Sequence, residues 1–131
     1  MEYLAVIVAG IGAFVFGAVW YSVLAKQWVA ASGVVTDETG QPSNRSNPVP
    51  YITGLIAVIL VAGMMRHTFT LSGIDTMGKA ALSGIGVGLF FVSPWIATCY
   101  GFAGRPRQLV LIDCGYAIGG CTVIGIILSL F

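Results

Sequence analysis

Long apolar segments, separated by short polar ones, make up most of this chain. The longest covers residues 80–104, carries no charged side chain, and lies between Lys79 and Arg105. A helix of about 25 residues rises about 37 Å, which exceeds the roughly 30 Å of hydrocarbon in a bilayer. Three other segments have the same character, so the pattern predicts that most of the protein lies in lipid.

The pattern predicts an all-α fold, an integral membrane four-helix up-down bundle. We expect residues 1–131 to form a single transmembrane domain with a polar loop at about 26–49. A cleaved signal peptide is disfavoured, because the first apolar segment follows Glu2 without a basic residue and is longer than the roughly 7–15 apolar residues of such peptides. The predicted spans are about residues 3–25, 50–71, 78–103 and 109–131.

Two residues in the predicted spans modify this picture. Arg66 comes near the end of the second span, and we expect its side chain to snorkel to the membrane interface. Pro94 lies inside the third span and leaves the carbonyl of Phe90 without its helical donor, which predicts a kink at this point.

Small residues recur at intervals of four along three of the four spans. Such faces let another helix approach closely, because no large side chain holds the backbones apart. The residues that we assign to helix packing on this basis are Ala9, Ala13, Gly17, Gly84, Gly88, Gly115 and Gly119.

Aromatic side chains cluster where the first span ends, at Trp20, Tyr21 and Trp28. Amphipathic rings are typical of the headgroup level, so we expect these residues to anchor the span at one membrane interface. The same rings, together with Tyr100, could instead form a ligand cage, which is the less favoured interpretation.

Composition and charge agree with a membrane protein and exclude one class of partner. The chain is 57% hydrophobic and 8% charged, whereas a soluble domain carries about 25% charged residues. A net charge of +1 provides no basic surface for nucleic acid. More basic residues fall in the predicted first and third loops than on the opposite side, which favours the cell inner membrane with both termini periplasmic.

Asp113 is the one carboxylate inside a predicted span. Ionisable residues inside a membrane are costly, so such a residue is a candidate for a functional role. Two interpretations remain open: a structural ion pair with Arg105 or Arg107, and a proton or substrate site. His67 is the only histidine, and the cysteine spacing matches no metal motif, so we expect no metal site and no haem. The sequence shows no catalytic set, and we predict no enzyme activity and no cofactor.

The order of several motifs resembles that of a known family. The motifs that carry the resemblance are Trp20-Tyr21 with Lys26 and Trp28, a glycine-rich third span, Gly104-Arg105, and the run Leu111-Ile112-Asp113-Cys114-Gly115-Tyr116. This arrangement resembles domain-of-unknown-function family 1761, small bacterial membrane proteins expected to have four helices, over essentially the whole chain. The resemblance implies a fold and no activity. If the last run belongs to the family pattern, Tyr116 joins Arg105, Arg107 and Asp113 in a candidate polar cluster.

The sequence favours a structural or accessory membrane subunit that packs through its small-residue faces against a second copy or a larger membrane complex. The expected partners are therefore the lipid bilayer and other membrane subunits. The alternative is a small dimeric transporter or channel that uses Asp113 near one interface. Small multidrug resistance transporters, which have a similar size, depend on a carboxylate deep in the first helix, and this chain has none there. A membrane enzyme or redox subunit is a third interpretation, but the chain lacks the paired ligands that a haem or metal centre needs.

Overall fold

A computed structural model describes residues 2–131 and shows four helical segments that are long and apolar enough to cross a membrane. Within this range the protein is all-helical and has no strands, as the sequence predicts. The segment ends lie one to three residues from the predicted ones. The elements are α1 (Glu2–Val23), α2 (Ala25–Ser32), α3 (Val49–Ser72), α4 (Met77–Gly86), a π-helical turn (Val87–Val92), α5 (Ser93–Phe102) and α6 (Arg107–Leu128).

Helix α6 is the centre of the packing and contacts every other helix. Its side chains Ile124 and Leu128 are the largest that are fully buried. Helix α1 packs along both α6 and α3, while the segment α4–α5 packs along α6. Helix α3 touches α6 only lightly, and α3 and α5 form no extensive contact within the described chain. A gap therefore lies between α3 and α5.

Small residues let α4 approach α6 until their backbones touch. A Cβ added to Gly84 would collide with the carbonyl of Cys121, and one added to Gly88 would collide with the backbone of Ile118. From the other side, a Cβ on Gly125 would strike the carbonyl of Ala80. The glycine spacing of the third segment therefore serves a contact inside the chain.

The small residues of α1 are also used internally. Ala9 and Ala13 have no exposed surface, and a Cβ on Gly17 would lie 2.7 Å from the ring of Tyr116. On α6, the ring of Trp20 covers Gly115, and the ring of Phe16 covers Gly119. Helices and rings of the same chain thus occupy the faces that the sequence analysis offered to a partner.

The third segment widens just before Pro94. The amide of Ser93 donates to the carbonyl of Gly88, five residues back, and the Ser93 hydroxyl donates to the same carbonyl at 2.7 Å. This i to i−5 pattern gives the proline ring room beside the carbonyl of Phe90, with which it would clash in a regular α-helix. The kink predicted at Pro94 is therefore accommodated as a π-helical turn, a feature that is frequent at functional sites.

Asp37 organises the polar segment between α2 and α3. Its Oδ1 accepts hydrogen bonds from the Thr39 amide at 2.9 Å, the Thr39 hydroxyl at 2.6 Å and the Gln41 amide at 3.1 Å. Its Oδ2 pairs with Arg45 at 3.0 Å. The Thr39 hydroxyl makes the largest contribution to lowering the pKa of Asp37 below its usual value. The hydroxyl of Tyr51 donates to the Arg45 carbonyl at 2.9 Å and so fastens this segment to α3.

Arg66, near the end of α3, caps the end of α6. Its Nη1 donates to the carbonyl of Leu128 at 3.1 Å, and its Nε is buried without a partner in the part of the chain that is described. The last carbonyls of a helix lack intrahelical donors and carry partial negative charge, so a guanidinium is favourable there.

Replacing Arg66 by methionine should lower the free energy of unfolding by about 1–2 kcal/mol, because the final turn of α6 loses its donor and its charge compensation. Thermal unfolding in mild detergent measures the change. The neighbouring His67 is exposed, and His67→Gln serves as the control that should leave stability unchanged. Equal effects from the two substitutions would show that the cap contributes nothing.

Candidate functional site

Asp113 joins three helices through its carboxylate. The hydroxyl of Tyr21, on α1, donates to Oδ1 at 2.5 Å. The hydroxyl of Tyr100, on α5, donates to Oδ2 at 2.6 Å. A carboxylate has about four acceptor positions, so each oxygen can still accept a further hydrogen bond from a ligand.

The ion pair expected between Asp113 and Arg105 or Arg107 does not form. The salt bridges found among residues 2–131 involve the pairs Arg45–Asp37 and Lys79–Asp75. The guanidinium of Arg105 instead donates to the carbonyl of Ser32, which ties the turn before α6 to the end of α2. Arg107 is exposed.

Aromatic rings surround the carboxylate. The ring of Tyr21 meets the edge of Tyr116 at a centroid distance of 5.3 Å and that of Trp28 at 6.3 Å. Trp20 lies beside this group, and its indole nitrogen donates to the carbonyl of Ile112 at 2.9 Å. Two of the rings that the sequence assigned to interface anchoring, Trp20 and Tyr21, therefore bind α6 within the chain.

A cavity of about 730 Å³ opens next to this group, and we refer to it as the Asp113 cavity. Residues of α1, α3, α5, α6 and the polar segment after α2 line it. A volume of this size falls in the range of roughly 300–1,000 Å³ that is typical of small-molecule sites. Its charged lining residues are Asp113, Arg45 and Arg105, and its aromatic ones are Phe14, Tyr21, Trp28, Tyr51, Tyr100 and Tyr116.

A second space of about 300 Å³, the α3–α5 groove, adjoins the Asp113 cavity. The two share Tyr21, Tyr100, Asp113 and Tyr116 as wall residues. Beyond this shared wall the groove is apolar and continues along α6 as far as Ile124. The carboxylate therefore lies where the aromatic-lined Asp113 cavity meets the apolar α3–α5 groove.

Of the four residues in the predicted polar cluster, the structure brings Arg105, Asp113 and Tyr116 to the wall of one cavity. Arg107 is not among the residues that line it. Tyr100 is the functional side chain that the cluster omitted, although the sequence analysis named it as a possible cage residue. Its position inside the third span was the available signal, because a phenol needs a partner for its hydroxyl when it leaves water.

The four long apolar helices and the part-buried carboxylate beside a cavity indicate a helical membrane protein with a candidate small-molecule site. The profile of a family described as "Protein of unknown function (DUF1761)" matches residues 4–129. The chain therefore belongs to the DUF1761 family, and the resemblance noted in its motifs is confirmed. No curated protein and no solved structure matches the chain.

Proposed function

We propose that this protein binds a small molecule in the Asp113 cavity, in the manner of a small membrane transporter. One observation carries the proposal: Asp113 lines a cavity of about 730 Å³, accepts hydrogen bonds from two phenols, and forms no salt bridge with any cationic side chain of residues 2–131. Carboxylates within membrane segments are expensive to keep, and those that persist commonly mark ligand or ion pathways.

The position of Arg105 supports a ligand role for Asp113 over a structural one. A carboxylate that served the fold alone would gain most from a guanidinium partner, because paired charges offset part of the desolvation cost. Arg105 lines the same cavity, yet its guanidinium donates to the Ser32 carbonyl. The charge of Asp113 is thus left available to a bound molecule.

The accessory-subunit hypothesis has less support. Its main argument was the presence of small-residue faces free to receive a partner, and contacts within the chain use those faces at Gly84, Gly88 and Gly17. Assembly with a second copy through the outer surface of the bundle, as in a dimeric transporter, is compatible with this proposal. Such a dimer would be an oligomeric form of the same binding protein.

The proposed topology is a bundle whose four segments cross the bacterial inner membrane in alternating directions. The cytoplasmic side holds the polar segment after α2 and the turn before α6, and both termini are periplasmic. Support comes from the contacts Arg105–Ser32 and Arg66–Leu128, which are the ones expected if successive segments alternate. The excess of basic residues in the two cytoplasmic connections agrees with this orientation.

Four probes of similar aromatic shape and different charge test the binding proposal: tetraphenylphosphonium, tetraphenylborate, triphenylphosphine oxide, and the zwitterion triphenylphosphonium propylsulfonate. A ligand that binds the folded protein at 100 times its Kd adds about 2.7 kcal/mol to stability. We expect at least one probe to raise the Tm of the wild-type protein in lipid nanodiscs. The shift should disappear in Asp113→Asn.

The control for this experiment is Asp75→Asn, which alters an exposed carboxylate that pairs with Lys79. This variant should keep the full Tm shift. The proposal is wrong if no probe stabilises the wild-type protein, or if Asp113→Asn and Asp75→Asn respond alike.

A further inference from the structure

We infer that the ligand is a monovalent organic cation with apolar substituents, whose charged centre lies against Asp113 and whose apolar part fills the α3–α5 groove. This inference rests on the proposed binding function and names the class of molecule that the site accepts. It follows from the distribution of charge, of aromatic faces and of apolar surface around the shared wall of the two spaces.

Charge selects a cation at the shared wall. Asp113 is the one carboxylate that lines either space. The two arginines line the Asp113 cavity but not the groove, and both are engaged, Arg45 with Asp37 and Arg105 with the Ser32 carbonyl. A positive group at the mouth of the groove therefore meets a carboxylate that neither guanidinium contacts.

The surrounding rings favour an organic cation over a metal ion. Tyr21 and Tyr116 line both spaces, and Trp28 and Tyr51 complete the aromatic wall of the cavity. Aromatic faces attract alkylammonium-type cations through their quadrupoles. A Ca²⁺ or Mg²⁺ ion would need about six oxygen ligands, and this wall offers one carboxylate and a few hydroxyls.

The groove explains why the cation should carry apolar groups. Val58 and Val61 of α3 face Val92 and Ile96 of the third segment across it, and its far end is at Ile124. Because this channel begins at Asp113, a molecule whose positive centre is bound there can place an attached apolar arm in it. An apolar arm in the groove is removed from water, so filling the groove adds to the affinity of a single ion pair.

An acyl chain of a membrane lipid is the competing occupant of the groove. A lipid places its phosphate next to its glycerol and acyl chains, so seating the chains in the groove would bring a negative group close to Asp113. The negative charge of Asp113 therefore disfavours a phospholipid and favours a molecule whose positive centre is attached directly to its apolar part.

Isothermal titration calorimetry in nanodiscs, corrected with empty nanodiscs, tests the charge requirement. Tetraphenylphosphonium and tetraphenylborate have nearly the same shape and opposite charge. Relative to the wild-type protein, Asp113→Asn should weaken tetraphenylphosphonium binding by at least about tenfold, or about 1.4 kcal/mol. Tetraphenylborate binding should be unchanged or strengthened. Preferential binding of tetraphenylborate or of the neutral phosphine oxide, lost in Asp113→Asn, would overturn the inference while leaving the proposed function intact.

A second pair of variants tests the groove independently of the carboxylate. Ile96→Trp fills the groove from α5, and Ile56→Trp places the same side chain on the exposed face of α3. Ile96→Trp should lower the affinity for tetraphenylphosphonium several-fold and leave that for tetramethylammonium, which has no arms, unaltered. Ile56→Trp should change neither. Equal affinities of the two variants for tetraphenylphosphonium would show that the groove holds no part of the ligand.

Discussion

Replacing Gly84 by alanine is expected to lower the free energy of unfolding by about 1–3 kcal/mol, the usual cost of forcing extra atoms into a packed contact. The new Cβ would lie 2.8 Å from the Cα of Thr122 and collide with the Cys121 carbonyl. Both obstacles are backbone atoms of α6, so no side-chain rotation can relieve the overlap. Helix α4 would have to move away from α6 and lose the contacts along the rest of the segment.

The matched control lies two residues away on the same helix. No heavy atom lies within 4 Å of the Cβ position of Gly86. Alanine is a better helix former than glycine by about 1 kcal/mol, so Gly86→Ala should be neutral or stabilising. Opposite signs for the two substitutions, measured by thermal or denaturant unfolding in the same detergent, are the expected result. If both substitutions act alike, close backbone packing of α4 on α6 is not what stabilises this pair.

The sequence pattern identified the residues of these close contacts but not the helix that each of them meets. Intervals of four distinguish Gly84 and Gly88 from Gly86, because only residues four apart share a face of a helix. The pattern states that a helix approaches this face and does not state which helix. Since lipid provides no hydrophobic force to choose a partner, a neighbouring helix of the same chain and one of another subunit satisfy it equally well.

The partners of the aromatic residues at the end of α1 are a second feature that could not be read from the sequence. The small-residue interval marks the inward face of this helix at Ala9, Ala13 and Gly17, but a helix that is apolar all round gives no polar contrast to indicate what its rings contact. Trp20 and Tyr21 therefore looked like residues of the headgroup level. The structure shows that Trp20 donates to Ile112 and Tyr21 to Asp113, contacts across 92 positions of the chain that no local pattern encodes.

The environment of Asp113 was only half predictable for the same reason. Its presence in an apolar segment identified it as a candidate, but its expected partners were the arginines closest in sequence. Nearness along the chain misled here, because Arg105 extends toward Ser32 and the donors arrive from α1 and α5. The position of a polar side chain in a membrane segment was informative, while its partners depended on how the helices are arranged.

Removing both phenol hydroxyls that contact Asp113 should lower the free energy of unfolding more than any of the other substitutions described above. Hydrogen bonds to charged groups contribute about 1.5–3 kcal/mol each, so Tyr21→Phe/Tyr100→Phe is expected to cost roughly twice that amount. The rings remain in place, and the change is confined to two oxygen atoms. Tyr3→Phe, at an exposed position of α1, is the matched control and should have no effect.

A third substitution separates the cost of the missing donors from general damage. In the wild-type background, Asp113→Leu strands two phenol donors and should be destabilising. In the background of Tyr21→Phe/Tyr100→Phe the same substitution removes a carboxylate that has lost its partners, and it should recover stability, because a part-buried carboxylate without its hydrogen-bond donors is less favourable than an apolar side chain of similar size. Such a recovery would show that the carboxylate and the two tyrosines act as a unit. If Asp113→Leu is equally harmful in both backgrounds, the three residues do not act as a unit.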